Sequence, residues 1–380
     1  MIETPVTIQD VAFGGAGVGR LPDGRIVFVP RTLTGETVRI RLGRLRKGFA
    51  EAELIEVLTA SPHRTAPPCV YFGPCGGCAY QHATYEEQLR IKEKQLHDTL
   101  TRIGGLRSLP PIHVEAADHS LGYRNKIVIH RDEKNRLGFY ATDHRRIVDI
   151  ERCLIANDRV NERLAAVRKG PSGSHGSRNV ILSDPGQRED VPRESFHQVN
   201  TAMAGKLLKW LRERIFPGKA ERPAQLLDLY CGAGFFTLGL ADSFAGVCGV
   251  DRDERAIHAA TARAQKTGVA AARFFAADIE EKMDWILESR PPEPFILLVD
   301  PPREGLPRCV MESLARCGHV ASFIYISCNP ATLARDLKGF IQIAEQAAAG
   351  EKLGLRQLAL FDMFPQTAHI ETVAILGKTH

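Results

Sequence analysis

The chain has 380 residues, 44% of them hydrophobic and 25% charged, with a net charge of +5. That balance excludes a fibrous, disordered or highly charged chain and leaves room for two or three domains with ample cores. With no apolar run of membrane-spanning length and no export signal, the nine cysteines are read in a reducing cytoplasm, where clustered thiols mean metal or catalysis.

Residues 1–60 read as all-β. Val6–Val11, Arg25–Val29, Thr37–Leu42 and Ala50–Val57 are short strands, punctuated by Gly14-Gly15-Ala16-Gly17 and Asp23-Gly24. Four to five such strands predict a small OB-like barrel. Arg39, Arg41, Arg44, Arg46 and Lys47 fall in nine residues with no acid among them. They form either a phosphate-contacting face or a solvated strand and turn.

Residues 61–200 read as a central β-rich domain. A Pro/Cys/Gly-rich loop spans 61–80, and Glu86–Ile103 is a helix stopped by Gly104-Gly105. Lys126–His130, Leu137–Tyr140 and Ile147–Ile150 are β-type, and Gly170–Ser177 is a flexible tip or linker. Arg124, Lys126, Arg145 and Arg146 either touch phosphates or face solvent. Within the loop, Cys69-x5-Cys75-Gly-Gly-Cys78 sets three thiols in ten residues, with glycines that permit a tight wrap. Cys153, after a strand, is the best fourth ligand. Spacing alone leaves zinc and a [4Fe-4S] cluster both open. Cys231, Cys248, Cys309 and Cys317 lack partner spacing and read as packing residues.

Residues 201–380 change style. After the helix Thr201–Ile215, apolar strands alternate with helices: Gln225–Tyr230, Val247–Val250, Arg273–Ala276, Phe295–Val299, Ser322–Ser327, Leu358–Phe361 and Ile370–Leu376. Strands buried on both faces predict an open, mostly parallel, doubly wound α/β sheet. Asp228-Leu-Tyr-Cys-Gly-Ala-Gly234 ends one strand and opens a helix, so its glycines let backbone approach a ligand closely. Asp251 follows at the end of the next strand, suited to ribose hydroxyls, and Asp278 ends the third. Thr237 stands where a dinucleotide fingerprint needs its third glycine, so the turn suits S-adenosylmethionine better than NAD. Asp300-Pro301-Pro302-Arg303-Glu304-Gly305 makes a rigid turn beside that site. Amine methylators carry an aromatic residue where Arg303 stands, which argues against amine chemistry. Cys328, after the buried run Val320–Ile326, is placed where such sheets carry their chemistry, and a thiolate attacks electron-poor carbon.

Taken together, Phe196-His-Gln198-Val-Asn200, the Asp228 turn, the Asp300 turn, Ser327-Cys-Asn-Pro-Ala-Thr-Leu-Ala-Arg-Asp336 and His369-Ile-Glu371-Thr resemble the RNA uracil-C5 methyltransferases over most of the chain. The resemblance implies a Rossmann-like class I methyltransferase domain over 201–380 and a TRAM domain for RNA binding over 1–60. It makes Cys328 the nucleophile at C6 of uracil, Glu371 the base that removes the C5 proton, and Asp300 the group that holds the uracil edge or orients Cys328. Gln198, Tyr230, Gly232, Gly234, Phe235, Asp251, Asp278 and Asp300 match cofactor-side positions, although Phe235 stands where relatives carry a polar residue. Members with this cysteine pattern hold a [4Fe-4S] cluster, which favours it over zinc on Cys69, Cys75, Cys78 and Cys153. The implied partner is RNA, 23S ribosomal RNA ahead of transfer RNA, for a cytoplasmic monomer with no membrane contact. A non-catalytic RNA-binding or folding factor and an electron-transfer protein are the alternatives. Intact Cys328, Glu371 and Asp300 argue against the first, and the complete cofactor turn against the second.

Overall fold

A computed structural model of the chain describes residues 3–170, 179–187, 198–215, 225–289, 293–346 and 353–378. The Gly170–Ser177 stretch, apart from Gly170, and Phe196-His197 lie outside them. In chain order the elements are β1 (Glu3–Val11), β2 (Ala16–Arg20), β3 (Ile26–Pro30), β4 (Thr37–Leu45), β5 (Phe49–Thr59), α1 (Tyr85–Arg102), β6 (Ile112–Glu115), β7 (Lys126–Arg131), β8 (Leu137–Tyr140), β9 (Ile147–Asp149), α2 (Asp158–Lys169) and β10 (Asn179–Ser183). Then come α3 (Thr201–Ile215), β11 (Gln225–Leu229), α4 (Phe235–Gly239), β12 (Gly246–Asp251), α5 (Glu254–Thr267), β13 (Ala272–Ala276), α6 (Ile279–Glu288) and β14 (Phe295–Val299). The last are α7 (Arg308–Arg316), β15 (Val320–Ser327), α8 (Pro330–Gln346), β16 (Leu353–Phe361) and β17 (Glu371–Lys378). No helix among the described residues is long and apolar enough to cross a membrane.

The chain packs as two compact units. One comprises Met1–Gln95, Ala117–Gln187 and Phe364–His369; the other comprises Leu96–Ala116, Arg188–Met363 and Ile370–His380. In the first unit β1–β5 close a barrel in the order β1-β2-β3-β5-β4. Alternate residues point inward, so Val6, Ile8, Val27, Val29, Val38, Ile40 and Ala50 fill it. Arg39 and Arg41 pair with Glu56, Glu3 and Glu53 at 2.8–3.6 Å. The basic face expected there is therefore partly neutralised, and the exposed Arg44, Arg46 and Lys47 at the β4–β5 turn carry what remains. A four-stranded sheet, β10-β7-β8-β9, buries Ile127, Ile129, Leu137, Ile150 and Leu182 against Val160 and Leu164 of α2. Arg124 lies over the Phe364 ring, 5.8 Å from its centroid, whereas Arg145 and Arg146 are exposed.

The second unit is built on one eight-stranded sheet, β13-β12-β11-β14-β15-β17-β16-β6. β11 to β15 run parallel to their neighbours, while β17 inserts antiparallel between β15 and β16. Leu227, Leu229, Leu297, Val299, Phe323 and Tyr325 face a core shared with α6, α7, α8 and the end of α1. β14 is buried at every residue, the pattern of a central strand covered on both faces. β6, a short run expected within the central domain, pairs with β16 instead, and Leu96–Ala116 as a whole packs with this sheet.

Candidate active site

β11 hands over to a turn that only particular backbones can make. Tyr230 has φ 63°, Gly232 φ 51° and Gly234 φ 75°. A Cβ on Gly234 would also come within 3.0 Å of the Phe274 ring, so glycine is required there twice over. Asp251, at the end of β12, accepts from the Gly232 amide at 2.8 Å and the Asp253 amide at 2.9 Å. It thus fixes the turn as well as facing the site, and a carboxylate retains further acceptor capacity for hydroxyls. Asp278 caps α6, accepting from Glu280 N at 2.9 Å.

Beneath the turn Asp228 is fully buried and accepts from the Thr237 hydroxyl, while its Oδ1 finds no partner. Burial pushes its carboxyl up to about 8 against the pull of that hydrogen bond. The Tyr230 hydroxyl is also buried without a partner. An orphaned carboxyl oxygen and an orphaned phenol are what a cationic, hydroxyl-bearing ligand would satisfy, so the residues fit S-adenosylmethionine. Phe235 stacks edge-on against Phe236, with ring centroids 4.9 Å apart. Of the Gln198 region, Asn200 donates to Met363 O at 3.3 Å and caps Met203 N at 3.2 Å.

Three neighbouring strands then carry the candidate catalytic groups. Asp300 follows β14, Cys328 follows β15, and Glu371 begins β17. β14 pairs β15 with Val299 opposite Tyr325, and β15 pairs β17 with Ser327 opposite Thr372. Because β17 runs antiparallel to β15, its first residue lies at the same end of the sheet as the last residues of β14 and β15. Cys328, Asp300 and Glu371 are thereby brought together. Burial pushes the Cys328 thiol up to about 11, and the Glu371 and Asp300 carboxyls add to this while Arg303 opposes it. Burial raises Asp300 to about 7, and burial together with Asp300 drives Glu371 well above the usual carboxyl range. Two carboxyls in one dry site disfavour each other's charge, so the pair keeps a proton near neutrality.

The turn carrying Arg303 is tied down by residues that the sequence reading used only as a motif. Asn329 Nδ2 donates to Arg303 O at 3.2 Å, and Arg335 Nη2 to Glu304 O at 2.6 Å. Asp336 is buried and accepts from Leu306 N and Tyr325 Oη, both at 2.7 Å. Arg303 itself was read only as evidence against amine chemistry. Its position one turn from Asp300 was the signal that could have placed it beside the thiol.

The cysteine loop belongs to the first unit. Its wrap is closed by Phe72 N to Cys69 O at 3.0 Å, Cys75 N to Tyr71 O at 2.9 Å and Gly76 N to Tyr140 O at 3.0 Å. Asn161 holds Cys153 in place from both sides, accepting from its amide and donating to its carbonyl. Burial pushes the Cys78 thiol up to about 12, and Cys153, Cys75 and Cys69 contribute in the same direction, so the four thiols share one neighbourhood. Among the described residues no three His, Cys, Asp or Glu side chains are spaced to grip a single ion. Of the cysteines read as packing residues, Cys231 is buried and Cys248 and Cys317 are half-buried, but Cys309 is exposed. It sits on the solvent side of the first turn of α7.

Known proteins agree with this architecture. The tRNA (uracil-5-)-methyltransferase family matches residues 187–379, and the TRAM domain matches residues 3–55. An uncharacterized RNA methyltransferase of Thermosynechococcus vestitus is 31% identical over 97% of this chain and 96% of its own length. The 23S rRNA (uracil(1939)-C(5))-methyltransferase RlmD of Acidithiobacillus ferrooxidans is 31% identical over 98% of this chain and 97% of its own. The crystal structure of Pyrococcus abyssi tRNA (uracil-54, C5)-methyltransferase with S-adenosyl-L-homocysteine shares the fold, with a TM-score of 0.69 at 24% identity over 98% of this chain and all of that one. With a TRAM barrel, a Rossmann-like sheet and relatives matching along nearly its whole length, the chain belongs to the RNA uracil-C5 methyltransferases, enzymes that depend on S-adenosylmethionine.

Proposed function

We propose that this enzyme methylates C5 of one uridine in 23S ribosomal RNA through a covalent adduct between Cys328 and C6. The observation that carries the reading is the meeting of Cys328, Asp300 and Glu371 at the ends of three adjacent strands. C5 of uracil is a poor nucleophile. Addition of the Cys328 thiolate to C6 places an enolate on the ring, and C5 then takes the methyl group, which the sulfonium cofactor supplies. Glu371, as carboxylate, removes the C5 proton; the C6–S bond breaks, the thiolate is restored, and the proton leaves to solvent. Asp300 holds the uracil edge beside Glu371, whose own raised carboxyl must give up its proton before it can act as base. The Asp228 and Tyr230 groups under the turn, with Gln198, Asp251 and Asp278, hold the cofactor. The target base must leave its stack unless it is already unpaired.

Ribosomal RNA is favoured over transfer RNA because the RlmD relative is 31% identical to this chain and the Pyrococcus transfer-RNA enzyme 24%, at the same 98% coverage. The four cysteines, in this reading, hold a [4Fe-4S] cluster. Their shared neighbourhood, with Cys153 buried and the other three half-buried, supports that reading. Incubating the anaerobically purified protein with methyl-labelled S-adenosylmethionine and unmodified total RNA, then digesting fractionated RNA for nucleoside mass spectrometry, tests the proposal. The expected result is labelled 5-methyluridine in the large ribosomal RNA, absent with Cys328→Ala. Label confined to transfer RNA would overturn the substrate, and label that survives Cys328→Ala would overturn the mechanism.

A further inference from the structure

We propose that Asp336 is a positioning residue whose buried carboxylate latches the Pro302–Leu306 turn to β15 and α8, and so holds Arg303 against the Cys328 thiol. The inference rests on the reading of Cys328 as nucleophile and names what orients the cation beside it. Asp336 is 1% exposed, yet four donors converge on it. Oδ2 accepts from Leu306 N and Tyr325 Oη, each at 2.7 Å. Oδ1 accepts from Arg335 Nε at 2.8 Å, and Arg335 Nη2 lies 2.7 Å away. Removing a carboxylate from water is costly, and only such a full set of donors offsets it.

The partners show what the latch joins. Tyr325 lies on β15 three residues before Cys328, and Asp336 lies on α8 eight residues after it. Leu306 closes the turn that starts at Asp300. One carboxylate therefore binds both chain flanks of the thiol to the loop that carries Arg303. Arg335 adds a second tie through Glu304 O, and Asn329, next to Cys328, a third through Arg303 O. The turn is shaped for this approach. Gly305 has φ 81°, and a Cβ there would stand 2.2 Å from Asp336 Oδ2. No side chain could occupy that place while the carboxylate reaches Leu306 N. Arg303 is the cation that favours the charged form of Cys328 against burial and two carboxyls. A guanidinium does this only when held in place, since its side chain is otherwise free to turn to solvent.

The test is the alkylation rate of Cys328 by iodoacetamide as a function of pH, read by mass spectrometry of its own peptide in the cofactor-free full-length protein. Arg303→Gln should slow alkylation near neutral pH by about threefold to tenfold, the effect of half to one unit in thiol pKa. Asp336→Asn should slow it to a similar extent, and the double variant should be no slower than either single one. A merely structural loosening would add to the Arg303 effect instead. Asp336→Asn with the wild-type profile, or additive losses in the double variant, overturns the proposal. Should Asp336→Asn fail to fold, Arg335→Gln, at a half-exposed site, must give the same non-additive slowing. Methylation surviving Cys328→Ala would overturn the nucleophile reading while leaving the alkylation comparison intact.

Discussion

The role proposed for Asp300 carries a cost in stability that can be tested. Asp300 is half-buried just after β14, and desolvation raises its carboxyl to about 7. An acid whose folded pKa lies above its unfolded value favours the folded state at low pH. That contribution is lost as pH rises from the ordinary carboxyl range through the folded pKa. Asparagine copies the protonated form and never ionises. Asp300→Asn should therefore unfold at a higher temperature than wild type at pH 8, by the equivalent of about 1–3 kcal/mol, with the gain vanishing by about pH 4. Calorimetric scans at the two pH values decide the matter. The same substitution should abolish 5-methyluridine formation. A gain equal at both pH values would mean that the charge on Asp300 is not what strains the site.

At the scale of elements, the ion pair of Glu36 and Arg64 is the clearest structural determinant in the first unit. Glu36 is fully buried where the barrel meets the following loop. Burial would raise its carboxyl, but Arg64, Leu33 N and Ser61 N more than offset this and hold it below the ordinary value. The associated stability is present above the ordinary carboxyl pKa and is lost as pH falls through the lowered one. Arg64→Met leaves that carboxylate buried and unpaired and should cost about 3–5 kcal/mol in urea unfolding near pH 7. Adding Glu36→Leu should restore much of it; a double variant as unstable as the single one would assign the loss to packing. Elements of this kind were only partly legible in the sequence. The strands of the large sheet were read from their apolar runs, and Asp251, Asp278, Asp300 and Cys328 from their places after those runs. Composition is local, and so is turn chemistry. Pairing is not: that Ile112–Glu115 would join β16 depends on a register set some 240 residues away. Asp336 stood inside a recognised motif, but its partner Leu306 lies thirty residues upstream. Glu36 and Arg64 carried no pattern at all, because a long-range ion pair has no periodicity to reveal it.

Over the whole molecule neither unit is one continuous stretch of sequence, since the division between them falls at 95/96, 116/117, 187/188, 363/364 and 369/370. The cysteine loop belongs to the first unit. Directly after Cys78, the Ala79 and Tyr80 amides both donate to Gln366 O, at 2.9 and 3.0 Å, and Gln88 accepts from Gln366 N at 3.0 Å. These bonds hold Gln366, within the Phe364–His369 stretch that ends two residues before β17. Cys153 lies in the same core as Ile127, Ile129 and Leu137, with Tyr71 and Cys78 packed against it. A cluster on these thiols would staple the loop to the four-stranded sheet, supplying to a small core what its apolar area alone does not. Cys153→Ser should therefore lose its iron and its brown colour and should unfold at a lower temperature. Protection of first-unit amides from hydrogen exchange should fall most in the cysteine loop and in Phe364–His369. Binding of S-adenosyl-L-homocysteine, measured by titration calorimetry, should change by no more than about threefold, because the groups assigned to it lie in the second unit. Iron retained in the variant would remove Cys153 from the ligand set. Iron lost with unchanged exchange in both segments would deny the cluster its structural role.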